Sequence, residues 1–144
     1  MASVYDIAKS FLLLDDKNEG EGLTNLKLQK LIYYAQGFHL AIFDKPLFDK
    51  EIEAWRHGPV VPELYQAYKA SAKDCLPLPD DFSLEQLSKD EFELVEEVYR
   101  VFGQYAAWKL REMIYEEPPW KTHEFEMGVI YKSELTDYFK TRLN

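Results

Sequence analysis

The chain predicts a mainly α fold: a compact domain of about five to six helices, with one or two short β-strands forming a small hairpin around residues 51–61. Three observations carry this. Apolar residues recur every three or four positions over most of the chain. The segment Glu51-Ile52-Glu53-Ala54-Trp55 alternates polar and apolar instead, as a half-buried strand does. Breakers fall where helices should begin or stop, at Pro46, Pro62, Gly103 and Pro118.

In order, Ser3 with Asp6 three residues on reads as an N-cap with an acid in the first turn, and Ile7, Phe11 and Leu14 continue at helical spacing, so the first helix is expected over residues 3–14. Asp15 to Gly22 is polar and glycine-bearing, a solvated turn. As a cation loop it lacks the alternate acid spacing and distal glutamate that calcium requires. Thr24 or Asn25 caps a second helix ending near Phe43, with Leu28, Leu31, Ile32, Ala35, Phe38, His39 and Ile42 as its apolar stripe. Lys27, Lys30 and Tyr34 fall three and four residues apart, and are expected to share its exposed face.

After the strand, His57-Gly58-Pro59 breaks regularity through the unusual angles open to glycine and the fixed angle of proline. Pro62-Glu63 restarts a helix that Leu64, Tyr65, Tyr68 and Ala72 line to about residue 72. Residues 73–88, with Pro77 and Pro79, form a long irregular connection holding at most a short turn. Asp90 opens a fourth helix through Phe92, Val95, Val98, Tyr99 and Phe102 to Gly103. A fifth, Ala106 to Tyr115, turns Ala107, Leu110 and Ile114 inward until Glu117-Pro118-Pro119-Trp120 halts it. Ser133 caps a last helix that docks through Leu135, Tyr138 and Phe139, and Gly128 to Tyr131 suits a short strand.

At 144 residues the chain fits a single domain over 1–144, able to bury about two-thirds of its unfolded surface. Its 47% hydrophobic and 15% aromatic content argues against disorder. The net charge of −9 repels phosphate backbones, so nucleic acid is a disfavoured partner and a basic protein surface a better one. The single cysteine, Cys75, forms no internal disulfide, which suits a reducing compartment. The N-terminus lacks signal-peptide character, and no apolar run reaches the roughly 20 residues of a membrane helix. A cytoplasmic, membrane-free protein is expected, with a homo-oligomer left open.

The residues offer little for catalysis. His39, His57 and His123 are dispersed and lack a His-Glu-x-x-His helix, so no metal is expected. His39 reads as a packed or hydrogen-bonded histidine, and Cys75, after Asp74 in a proline-rich loop, as an idle thiol. No glycine-rich loop cradles a phosphate. Glu116-Glu117 and Glu96-Glu97 are adjacent acids that point apart, read as solvated surface. No cofactor or catalytic residue is expected. What remains is a binding surface: Trp55 is placed inward, while Arg56, His57 and Tyr65 are partly accessible, of residue types enriched at interface hot spots.

The run Leu28-Gln29-Lys30-Leu31-Ile32-Tyr33-Tyr34-Ala35-Gln36-Gly37-Phe38-His39, then Pro46-Leu47-Phe48, Ala54-Trp55-Arg56-His57-Gly58-Pro59-Val60-Val61-Pro62-Glu63-Leu64-Tyr65 and Pro119-Trp120, resembles the Panacea domain, the SocA-like and phage-associated GepA-like family. The likeness runs over about residues 3–140. Leu28, Leu31, Ala54, Trp55, Gly58, Pro59, Val60, Pro119 and Trp120 are its structural motif. The resemblance implies an antitoxin of a bacterial or phage toxin–antitoxin system, neutralising a cognate toxin by direct contact, the toxin being encoded by a neighbouring gene. The expected partner-binding residues are Lys27, Lys30, Tyr34, Arg56, His57 and Tyr65. Two alternatives stay open: an adaptor that delivers a toxin to a protease complex, and a small hydrolase of unknown substrate using His57 with a neighbouring acid.

Overall fold

A computed structural model describes residues 1–71 and 74–143, so the expected inward placement of Ala72 lies outside the described residues. Helix α1 spans Val4–Lys17, with the Ser3 hydroxyl accepting from the Tyr5 and Asp6 amides. It runs a turn longer than its apolar spacing suggests because Asp15 is buried rather than solvated. The Asp15 carboxylate accepts from the Gly22 amide at 2.8 Å and the Tyr99 hydroxyl at 2.6 Å, folding the following turn back onto α1.

Helix α2, Asn25–Phe43, starts where the Thr24 hydroxyl accepts from the Lys27 amide and ends at Asp44 in a left-handed conformation. Strand β1, Ile52–Trp55, pairs antiparallel with β2, Gly58–Val60, and on its other edge with β3, Val129–Ile130, giving the order β2-β1-β3. The expected short strand near residue 130 is therefore the third strand of this sheet. Helix α3, Pro62–Ala67, is shorter than expected and passes into a 3-10 turn over Lys69–Ser71. The connection that follows contains one 3-10 turn, Leu84–Gln86.

Helix α4 spans Lys89–Phe102. Ser88, not Asp90, opens it: the Ser88 hydroxyl accepts from the Glu91 amide while the Glu91 carboxylate accepts from the Ser88 amide, a reciprocal cap that Asp90 has no geometry to make. Helix α5 is Ala107–Tyr115, with Leu110 and Ile114 buried and Ala107 half-buried. The prolines after it do more than halt it. Proline suits a first helical turn, and Pro118–Lys121 forms a short helix α6. Helix α7, Lys132–Lys140, is capped at Tyr131 rather than Ser133. The seven α-helices among the described residues exceed the expected number because of α6. None of them is long and apolar enough to cross a membrane.

Helix α2 is the hub. It packs on α7, β2, α4, α5 and α1, so nearly its whole circumference is covered. Tyr34 stacks on Phe102 of α4 at 3.9 Å and 8°, and Phe139 of α7 meets Phe38 edge-on at 4.8 Å. Gly37 lets α7 approach, since a Cβ there would collide with the Phe139 ring. Ile42, expected in the buried stripe, is exposed in the last turn.

The polar residues of α2 tie down the chain around it. The Gln36 amide oxygen accepts from the Leu47 amide at 2.7 Å, and its nitrogen donates to the Phe48 carbonyl at 2.9 Å. The Gln29 oxygen accepts from the Val61 amide at 2.9 Å, fixing the exit of β2. Gln36→Ala is expected to cost about 1–3 kcal/mol in urea unfolding, because it leaves buried backbone groups without partners.

Candidate partner-binding face

Among the six expected contact residues, the three on α2 are placed differently from expectation. Lys30 is 2% exposed and Tyr34 0% exposed, while Lys27 is half-buried with its ammonium donating to the Gly103 carbonyl at 2.7 Å. They form no solvated stripe, because the side of α2 opposite the expected core faces other elements, α7 and α4 in the case of Tyr34. A signal for this lay in the sequence: with Leu31, Ile32, Tyr33, Tyr34 and Ala35 in succession the helix is apolar or aromatic all round, as a central helix is.

The other three lie on or beside the hairpin. Arg56 and His57 are exposed at the β1–β2 turn, and Tyr65 is half-buried on α3 with its ring edge-on to Trp55 at 5.3 Å. Trp55, expected inward, is half-buried, and its indole N–H donates to the Glu53 carboxylate at 2.9 Å. The His57 side chain is exposed, and among the described residues the histidine that meets an acid is His123, with Glu134. Ala54, Gly58, Pro59 and Val60 are buried, as are Leu28, Leu31, Pro119 and Trp120, so the motif residues apart from Trp55 are interior. The Trp120 indole N–H donates to the Trp55 carbonyl at 2.8 Å, joining α6 to β1.

The turn continues into a surface that periodicity alone does not show. The Tyr115 hydroxyl donates to the Arg56 carbonyl at 2.5 Å, the Tyr115 ring stacks on Trp120 at 4.2 Å, and Arg111 lies over Tyr115 at 5.9 Å. Arg56, Tyr115, Trp120, Lys121, Phe125 and Met127 border a groove of about 620 Å³, together with Glu116 and Glu124. Phe125 is 94% exposed, Trp108 61% and Met127 50%, so these large apolar side chains are largely unused by the core. Trp108, Arg111 and Tyr115 share one face of α5 by their spacing of three and four.

Beside this face lies a buried carboxylate missed by the expectation of solvated acids. Glu117 is 5% exposed and accepts from the Tyr33 and Tyr34 hydroxyls, both at 2.8 Å, and from Arg142 at 3.3 Å. Burial raises its pKa, with the tyrosine and Arg142 contacts acting the other way, and Tyr33 and Tyr34 are held well above the ordinary phenol range by burial and by Glu117. This closed network ties α2, α6 and α7 together. The remaining histidines are also occupied structurally: His39 Nδ1 meets the Lys45 carbonyl at 2.7 Å, and His123 Nε2 the Glu134 carboxylate at 2.8 Å.

Comparison with known proteins agrees with the resemblance read from the motifs. Antitoxin SocA of Caulobacter vibrioides (strain NA1000 / CB15N) is 43% identical over 49 residues, 34% of this chain and 26% of that protein, so the match spans about a quarter of that relative's length. No solved structure matches. The family described as antitoxin SocA-like, Panacea domain, matches residues 28–121, from the start of the buried run of α2 to the end of α6. With more than half of its length matched, the chain belongs to the SocA-like Panacea domain family.

Proposed function

We propose that this protein is an antitoxin that neutralises a protein toxin by binding it directly, and that the toxin docks on the face built from the β1–β2 turn, α5 and the α6–β3 segment. Membership of a family described as SocA-like antitoxin carries the reading. The face suits it, because it presents aromatic, methionine and arginine side chains, the types enriched where proteins bind proteins. Arg56 and His57, anticipated from sequence, belong to this face, with Tyr65 at its margin; Lys27 and Tyr34 act from within as supports. The protein works without chemistry of its own in this reading.

The test is to express the product of the adjacent gene with and without this protein. Growth arrest relieved by co-expression, with co-elution of the two purified proteins, is the expected result. A toxin that stays fully active beside an equimolar amount of this protein, with no complex, would overturn the reading. Stable toxin levels during relief separate direct blocking from delivery to a protease. Phe125→Asp is expected to weaken the complex about 30-fold or more while leaving the melting temperature unchanged, since the side chain is a candidate hot spot yet almost wholly outside the core.

A further inference from the structure

The fold encloses a cation that no acid of the described chain balances. Lys30 is 2% exposed, and its ammonium donates to the Leu26 carbonyl at 3.2 Å, using one of three donors. Among the described residues it enters no ion pair, and the charge that acts on it is another cation, Arg111. Buried lysines are ordinarily paired, because desolvating an ammonium is costly. Here burial, then Arg111, lowers its pKa to about 8, so at neutral pH it is still mostly protonated. In a chain of net charge −9 this is a place where positive charge is concentrated and, among the described residues, left uncompensated.

The turn above it is built around that ammonium. Gly58 has φ +125°, a conformation that side-chain-bearing residues rarely adopt, and a Cβ there would sit 3.1 Å from Lys30 Cε. The glycine thus leaves the lysine stem the space beneath β2. Arg111 is exposed, and Arg56 and His57 lie at the same turn as Gly58. Arg111 also stands on the ring of Tyr115, which lines the aromatic groove together with Arg56.

We propose that Lys30 and Arg111, beneath and beside the Gly58 turn, form a receptor for a carboxylate, and that its occupant is an aspartate or glutamate side chain of the toxin, an identity that rests on the antitoxin reading above. Arg111 is the surface member, able to hold a carboxylate through two parallel N–H groups. Lys30 is the inner member, whose flexible stem brings its two remaining donors to the same anion. An acidic side chain arriving there compensates a charge that is already desolvated, so it replaces less water than it would at an exposed lysine.

The test begins without the toxin, using acetate as the probe. The Lys30 Cε resonance is titrated by NMR in sodium acetate and in sodium chloride at equal ionic strength. Acetate is expected to raise the Lys30 midpoint from about 8 by about 1, because an opposite charge at contact favours the ammonium. Arg111→Gln should abolish that rise. Equal midpoints in the two salts would overturn the receptor. With the toxin, Lys30→Met combined with Arg111→Gln should weaken the complex by about tenfold or more, and the loss should shrink at high salt. Lys30→Met removes an uncompensated buried charge, so the variant should melt no lower than wild type, and a weakened complex cannot then be assigned to misfolding. A doubly substituted protein that binds the toxin as tightly as wild type overturns this proposal and leaves the antitoxin reading intact. Absence of any wild-type complex removes the toxin as occupant, while the acetate result still decides the receptor.

Discussion

Glu117→Ala is expected to lower stability by about 3–5 kcal/mol, a fall of about 10 °C in melting temperature for a chain of this size. The substitution leaves the Tyr33 and Tyr34 hydroxyls without their acceptor in a buried site and releases Arg142 from α6. Because the two tyrosines lie on α2, Glu117 stands at the start of α6 and Arg142 follows α7, amide exchange should rise first in α6 and α7. Glu117→Gln is milder, since it keeps a carbonyl acceptor, and it isolates the role of charge. Burial holds the folded-state pKa of Glu117 above its ordinary value of 4.5, so the folded protein binds this proton more tightly than the unfolded chain. Its contribution is complete below about pH 4.5 and is lost as pH rises through the raised value. Subtracting the Glu117→Gln stability curve from that of wild type should therefore give a difference that falls with rising pH in that window. A flat difference would show that the carboxylate ionises as freely in the fold as outside it.

Phe139→Ala should cost about 3–5 kcal/mol, the range for emptying a buried aromatic site. Phe139 is fully buried and meets Tyr33, Tyr34 and Phe38 edge-on, with centroids at 5.5, 6.0 and 4.8 Å. It is also the residue that Gly37 accommodates. Gly37→Ala alone is expected to destabilise by about 1–3 kcal/mol through overpacking, although alanine is the better helix former. In the Phe139→Ala background the same substitution should become neutral or stabilising, because the ring is gone and only the gain in helix propensity remains. Equilibrium unfolding of the four proteins of this cycle measures the coupling directly. Additive effects would mean that α2 and α7 do not depend on this close approach.

The parts of the fold legible in the sequence are those written in local chemistry. Ser3 and Thr24 stand one residue before their helices and cap them as their short hydroxyl side chains allow, and Pro62 opens α3. Glu51 to Gly58 reads as strand and turn because alternation and glycine are local signals, and the hairpin is there. Caps that require two residues to act reciprocally were less legible. The Ser88–Glu91 exchange displaces Asp90 because a hydroxyl and a carboxylate together satisfy two backbone amides.

The candidate site was legible only at the hairpin. Arg56 and His57 could be placed because turn residues between strands are exposed for local reasons. Lys30 and Tyr34 could not, because their helical spacing is equally that of a solvated face and of a second buried face, and only the elements packed on α2 distinguish the two. Glu117 shows the same limit. Its neighbour Glu116 is exposed, and nothing about a Glu-Glu pair says which one will meet two tyrosines more than eighty residues earlier in the chain.

The sequence by itself determined that this is a mainly α protein with a hairpin at residues 51–61, and its motifs were enough to place it in its family. Those features depend on spacing, capping and backbone angles within a few residues. The tertiary structure decided that α2 is enclosed rather than half-solvated, that Glu117 closes the core, and that Lys30 lies buried beneath Gly58 with no counter-charge among the described residues. Each of these depends on which distant segment arrives to cover a side chain, and burial, unlike periodicity, is a property of the assembled fold.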